Sequence, residues 1–347
     1  MNLEKLDKIL ENEPAFRKKQ ALKFIFQDLN ETWDEATIFS KETREKLKEN
    51  LSLKIDLEIF WAKDKKSAKA LIRLDDGVAI ETVLMKSEKR NTVCVSSQAG
   101  CPLGCAFCAT GKNGFIRNLE YWEIIEQVLI FARILKNEFG DERVTNVVFM
   151  GMGEPFLNYE NVMKAANFIN SKEGFEIAAR KISISTVGII PEIKRFADEG
   201  KQFNLAVSLH APANESRKKL VKVCDQYPVE ELIKAIDYYI EKTNRKVMLE
   251  YSLFQDVNDS ENQAQELVGL MKKKQYYMVN LIEYNEYEKK GKGDVILIKS
   301  EKERVEKFKN ILQKGGIEFA ERFRFGRDIK GACGQLAGEH RPGSEKE

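Results

Sequence analysis

Cys101, Cys105 and Cys108 lie in one short run, Cys-Pro-Leu-Gly-Cys-Ala-Phe-Cys, with the spacing C-x3-C-x2-C. This spacing brings three thiolates to a single point and offers no obvious fourth. A structural zinc site is a closed tetrahedron of four protein ligands. A cubane iron–sulfur cluster also has four iron corners, each normally bound to one thiolate. Three cysteines therefore leave one iron open, which is useful only where a further molecule must bind the metal. Cys101, Cys105 and Cys108 are thus the candidate metal ligands, around a 4Fe-4S cluster.

The loop must be held by regular elements, and the chain supplies them from Asn91 onward. Thr92 to Ser96 reads as a strand leading into the cysteines. Further strands are expected at Val144–Met150, Lys181–Thr186, Asn204–Leu209, Val247–Phe254 and Met278–Ile282. Helical periodicity separates them at Tyr121–Leu135, Tyr159–Ile169, Pro191–Glu199, Val229–Ile240, Asn262–Lys273 and Glu301–Gln313. Six strand–helix units imply parallel strands joined by right-handed crossovers. The expected fold is α/β, a partial (β/α)6 barrel over residues 91–338. Residues 1–65 read as a small helical domain, including Lys41–Asn50 with Ser40 as N-cap. Residues 66–90 form a β-rich linker around the turn Asp75-Asp76-Gly77, and 339–347 a polar flexible tail.

Polar groups collect at the ends of these strands, where such folds place chemistry. Gly151-Met152-Gly153-Glu154-Pro155 follows one strand. Its glycines permit close backbone approach, and its carboxylate can accept hydrogen bonds from an ammonium group. Ser185 ends the next strand, and Ser208, Leu209 and His210 end the one after; Asn285 follows a fifth. Each could bind a cofactor, though strand-end polar groups commonly satisfy only the backbone. His210 could equally be a satisfied structural residue. Cys94 and Cys333 stand apart from the triplet. A free cysteine is by default a small core residue, and Cys224 is read that way. Cys333, flanked by Gly331 and Gly334, suggests a tight loop instead.

Composition narrows the class. The 347 residues are 43% hydrophobic and 32% charged, as in a folded globular protein. No apolar run is long enough to span a bilayer, and the N-terminus has no secretory h-region, so a cytoplasmic protein without membrane association is expected. Six cysteines, three of them clustered, suit a reducing compartment and a metal site. With 57 basic and 55 acidic residues the net charge is +2, which neither demands nor excludes nucleic acid.

Taken together, several motifs resemble the RlmN/Cfr family of radical S-adenosylmethionine (SAM) RNA methyltransferases. They are Ser-Ser-Gln-Ala-Gly before the triplet, Cys-Ala-Thr-Gly-Lys at its end, Arg117-Asn118-Leu119, Gly-Met-Gly-Glu-Pro, Ser-Leu-His-Ala-Pro and Ala-Cys-Gly-Gln-Leu. The resemblance spans nearly the whole chain, including Phe16-Arg17-x2-Gln20. It implies that SAM chelates the open iron, with Gly153, Glu154, Ser185, Ser208, Leu209, His210 and Asn285 as its binding residues. It also implies two SAM molecules per turnover. Cys333 would take a methyl group from one by thiolate attack. Reductive cleavage of the other would give a radical that removes hydrogen from that methyl, and the carbon would then add to adenine. Cys94 would resolve the protein–RNA adduct through a disulfide with Cys333. Glu81, thirteen residues before Cys94, would remove the ring proton.

The implied substrate is an adenosine in the peptidyl-transferase centre of 23S rRNA, methylated at carbon 2, with a tRNA adenosine 3′ to the anticodon as a second target. Flavodoxin or ferredoxin would donate electrons, to a monomeric enzyme. Lys112, Arg117, Lys181, Arg217, Lys218, Lys219, Arg322, Arg324 and Arg327 are candidate phosphate contacts. The chain departs from the family pattern at Glu283, where proline is usual, and at Lys330-Gly331 before Cys333. Pro155 and Gly114-Phe115-x-Arg117 look more like the carbon-2 than the carbon-8 enzymes. The alternatives are a Cfr-type carbon-8 methyltransferase, which confers ribosomal antibiotic resistance, and a non-catalytic, metal-containing RNA-binding protein. A glycyl-radical activase would leave Cys94 and Cys333 unexplained.

Overall fold

The computed structural model describes residues 1–140, 142–286, 296–322 and 325–338. Its centre is a ten-stranded mixed sheet. Strands β1 (Leu57–Trp61), β2 (Ser67–Arg73), β3 (Ala79–Ser87) and β4 (Arg90–Val95) form an antiparallel meander. A separate hairpin, β5 (Gln98–Gly100) and β6 (Phe115–Asn118), brackets the cysteine run in sequence. From β4 the sheet continues through β7 (Asn146–Phe149), β8 (Ile182–Thr186), β9 (Asn204–Ser208), β10 (Val247–Leu253), β11 (Tyr277–Glu283) and β12 (Glu318–Glu321). Each neighbouring pair from β4 to β12 is parallel.

Parallel strands need long return connections, and helices provide them. They span Tyr121–Glu138, Tyr159–Asn170, Ile190–Asp198, Val229–Thr243, Glu261–Leu270 and Lys302–Lys314. Local chemistry fixes where some begin. Glu120 and Glu123 form a reciprocal capping box at one start, and Ser260 and Gln263 another. The strands carry the core: Val147, Phe149, Ile184, Leu205, Val207, Val247, Leu249 and Val279 are fully buried. Such apolar runs mark strands covered by packing. The six expected strand–helix units are present, with β12 added as a seventh parallel strand.

Before the sheet come helices Leu3–Ile9, Ala15–Phe26 and Lys41–Asn50, the last capped by the Ser40 side chain on the Thr43 amide. Helix does not extend to residue 65 as read from the sequence. Residues 57–61 form β1, because Leu57, Ile59 and Trp61 are half-buried while Glu58 and Phe60 face out, a period of two. Residues 66–90 supply β2 and β3 and so extend the main sheet. The 339–347 tail lies outside the described residues. Among the described residues no helix is long and apolar enough to cross a membrane.

Trp33 organises the N-terminal helices. It is almost fully buried, stacks on Phe24 with ring centroids 5.6 Å apart, and donates its indole N–H to the Leu51 carbonyl at 2.7 Å. Replacing Trp33 with alanine removes the ring and orphans that carbonyl. The expected cost is about 3–5 kcal/mol, read as a lower midpoint in urea unfolding followed by circular dichroism.

Candidate active site

The C-terminal ends of the parallel strands open into one cleft. Cys94 lines it from β4, Gly153 and Glu154 from the turn after β7, and Ser185 from β8. Ser208 and His210 line it from the end of β9, and Asn285 from beyond β11. Cys101, Cys105 and Cys108 line the same cleft, and so does Cys333. Leu209 is fully buried beneath this lining and turns its carbonyl to Arg217 instead. Glu81 also lies off the lining.

The cysteine loop is held by backbone. The Cys101 amide donates to the Gly114 carbonyl at 2.9 Å, and Ala106 donates to Leu220 at 2.9 Å. Among the described residues no three Cys, His, Asp or Glu side chains converge as a single metal ion requires. Three separate thiols around one cleft suit a polynuclear cluster, which spreads its ligands over different irons. Burial pushes the Cys101 thiol up to about 12 and Cys105 well above its usual value. A cationic centre is what strips the proton from thiols so placed.

The Gly-x-Gly turn is shaped by its neighbour strand. The amides of Ser97 and Gln98 both donate to the Met152 carbonyl, and the Met152 amide donates to Ser96 Oγ. A Cβ on Gly151 would stand 2.7 Å from Ser96 Oγ and 2.8 Å from its amide nitrogen; on Gly153, with φ +95°, it would meet Gln98 at 2.5 Å. These glycines therefore serve contact between protein segments. Glu154 is buried, with Oε1 accepting from the Phe156 amide at 3.0 Å and Oε2 from Val187 at 2.8 Å. Burial lifts its carboxyl to about 7 against those two bonds.

His210 is buried in a left-handed conformation, φ +56°. Its Nδ1 accepts from the Ser252 amide at 3.0 Å, so the ring proton of the neutral imidazole sits on Nε2. Phe107 of the cysteine loop packs edge-on to the ring, centroids 4.5 Å apart. Burial, helped by the Arg217 charge, depresses His210 to about 3. Asn285 donates to the Cys333 carbonyl at 3.4 Å, while its buried Oδ1 has no partner among the described residues. An orphaned acceptor on a cofactor-sized cleft fits a donor from a bound ligand, such as a ribose hydroxyl.

Cys94 is buried on β4, and its burial pushes the thiol up to about 12. Cys333 is exposed on a turn, and all six cysteines are free thiols. The Cys333 segment docks onto the cysteine loop: Ala109 donates to the Gly334 carbonyl at 2.8 Å and Thr110 Oγ1 to Leu336 at 2.6 Å. Glu81 completes the docking. Its Oε1 pairs with buried Lys69 at 2.7 Å, and its Oε2 accepts from the amides of Ala337 at 2.7 Å and Gly338 at 3.2 Å.

The expected phosphate contacts divide sharply. Arg217 is corrected outright: it is fully buried, donating to the carbonyls of Leu209, Ser208, Val187 and Tyr227. Arg117 is bound by Asp76 and Glu123, and Lys218 by Asp225. Lys112, Lys181, Lys219 and Arg327 are exposed. Arg322 lines the cleft, and Arg324 lies outside the described residues. Sequence reasoning missed Lys69 and Glu250, because each is marked only by a partner distant in the chain.

Two measurements test this geometry. Gly151→Ala forces a methyl group against the Ser96 backbone and is expected to cost about 1–3 kcal/mol in thermal unfolding. His210, depressed from its usual 6.5 to about 3, holds fewer protons folded than unfolded. Stability therefore falls as pH drops from about 6.5 towards 3, by up to about 1.4 kcal/mol per pH unit. His210→Asn keeps an acceptor for Ser252 without the titration, so its stability profile in this window should be flatter.

The radical SAM superfamily model matches residues 95–268, which hold the cysteine loop and four of the parallel strands that follow it. A crystal structure of a radical SAM methyltransferase from Sphaerobacter thermophilus superposes with a TM-score of 0.90 at 39% identity, covering 98% of both chains. Relatives described as probable dual-specificity RNA methyltransferase RlmN match along the chain. That of Dictyoglomus turgidum is 42% identical over 93% of this chain and 91% of its own. That of Clostridium tetani is 39% identical over 100% and 97%. With the cysteine loop, the strand-end cleft and Cys333 in place, the chain belongs to the radical SAM superfamily and, within it, to the RlmN family.

Proposed function

We propose that this protein methylates carbon 2 of an adenosine in the peptidyl-transferase centre of 23S rRNA, and of a tRNA adenosine 3′ to the anticodon. The observation that carries the methyl-carrier chemistry of this reading is the convergence of Cys94, Cys333 and the three loop cysteines on one cleft, and the choice of carbon 2 rests on the likeness to the RlmN relatives. A generic radical SAM site has no use for the first two.

Cys101, Cys105 and Cys108 would hold a 4Fe-4S cluster, and Glu154, Ser185, Ser208, His210 and Asn285 would hold SAM, with Gly153 shaping the turn and Leu209 supporting it from beneath. Together the bound cluster and SAM supply one-electron hydrogen abstraction, fed by flavodoxin or ferredoxin. The residues around them do the rest. Cys333, exposed at the turn, accepts a methyl group on its sulfur from one of two SAM molecules used per turnover. Buried Cys94, a poor nucleophile until its proton leaves, attacks that sulfur last: a disulfide forms with Cys333, the bond from sulfur to the base-linked carbon breaks, and that carbon takes up a proton as the methylated base leaves. Glu81 takes the ring proton. To do so its Oε2 must first exchange the amides of Ala337 and Gly338 for the substrate. The base must leave its stack to reach this depth, which favours looped or single-stranded RNA. The enzyme acts as a cytoplasmic monomer.

Intact-mass measurement of anaerobically purified protein tests the central step. The wild type is expected to carry the mass of one methyl group on Cys333, and Cys333→Ala none; an unmethylated Cys333 in active enzyme overturns the reading. Mass spectrometry of modified rRNA should then show 2-methyladenosine, whereas 8-methyladenosine would assign the sister regiochemistry. Glu81→Gln is expected to accumulate the protein–RNA adduct on denaturing gels.

A further inference from the structure

Arg322, just past β12, reaches into the cleft rather than out to solvent. Its Nη1 lies 3.5 Å from Cys333 Sγ and its Nη2 2.7 Å from Met150 Sδ. Behind it stands Glu250 of β10, almost fully buried, with Oε2 at 3.7 Å from Arg322 Nη1. Glu250 is oriented from its other side: Asn280 of β11 donates to Oε1 at 2.8 Å. Oε2 has no hydrogen-bond partner among the described residues. Thus one guanidinium stands between a cysteine sulfur and a buried carboxylate, and hydrogen-bonds the sulfur.

We propose that Arg322 is a catalytic residue that stabilises the anionic sulfur of Cys333, and that Glu250 is the acceptor it turns to once that sulfur is methylated. The proposal rests on Cys333 being the methyl carrier. Cys333 first loses its thiol proton to solvent, and Arg322 then donates a charge-assisted hydrogen bond to the thiolate. On methylation a carbon–sulfur bond forms at Cys333 and the bond from the methyl to the SAM sulfonium breaks. The electron pair of that bond stays with the departing S-adenosylhomocysteine. Cys333 changes from an anion to a neutral thioether, a far weaker acceptor. Arg322 then loses its strongest hold on the sulfur and turns to Glu250 Oε2, which leaves the methylated side chain free to face the substrate. An arginine suits this exchange because its fork offers several donors in fixed geometry.

The test does not need turnover. Protein made by cell-free synthesis without added SAM, so that Cys333 carries no methyl group, and then given its cluster, is treated with iodoacetamide at pH 7, and the Cys333 peptide is followed by mass spectrometry. Arg322→Met is expected to slow alkylation of Cys333 by about threefold to tenfold, because the sulfur loses more as an available anion than it gains in nucleophilicity. Arg322→Lys should retain most of the rate, and Glu250→Gln should raise it by removing a competing negative charge. Circular dichroism establishes that each variant is folded. Wild-type alkylation in Arg322→Met, equal losses in the methionine and lysine variants, or slower alkylation in Glu250→Gln would each overturn the proposal. Failure of the methyl-carrier reading shows separately, as an unmethylated Cys333 in active, anaerobically purified enzyme while the alkylation pattern still holds.

Discussion

Parallel pairing obliges each strand from β4 to β11 to be followed by a return segment, so their C-terminal ends gather along one edge. Cys94, Glu154, Ser185, Ser208 and Asn285 are far apart in the chain, yet all arrive there. No individual contact between them is needed to bring them together. The fully buried cores of β7 to β10 fix the register, since a slip of one residue would turn every apolar side chain to the wrong face. The functional groups are consequently as well fixed as the sheet itself, which a chemistry intolerant of stray water and loose geometry requires.

One part of the site does not come from the sheet. Cys333 arrives on a segment with little regular structure, and its position depends on hydrogen bonds to the cysteine loop, to Asn285 and to Glu81. Most of these bonds use backbone groups of the segment. They therefore hold its path while leaving the sulfur itself free to change partner. The same loop that carries Cys101, Cys105 and Cys108 thus also seats Cys333.

The sequence made the sheet and its helices legible because apolar periodicity is a local property. It hid β1 and β12, which are short, half-exposed and partly charged, so that their pairing comes from a neighbour rather than from composition. Motif spacing exposed the three loop cysteines, whose roles depend on closeness in the chain. It gave no sign that Arg217 would be buried, tied to four carbonyls, because nothing in Ser-Arg-Lys-Lys distinguishes an internal arginine from a surface one. The Gly-x-Gly turn was legible as a place of close approach, but what approaches is the strand beside it. Lys69 and Glu250 were invisible for the same reason as Arg217: each acquires meaning only from a partner on another strand.

Glu81 shows how tightly these parts are linked. On β3 it shares a face with Val83 and Met85, both of which line the cleft, so its carboxylate is directed to the protein interior. There one oxygen is committed to Lys69 and the other to the backbone just beyond Cys333. A buried carboxylate without partners would be costly, and Lys69 meets that cost on one side permanently. The other side is met by amides that belong to a segment held by only a few bonds. The two oxygens are thus engaged independently, so that loss of the amide bonds would leave Oε2 free while Oε1 kept its cationic partner. Release of Glu81 Oε2 and movement of the Cys333 segment are therefore coupled through the same two backbone hydrogen bonds.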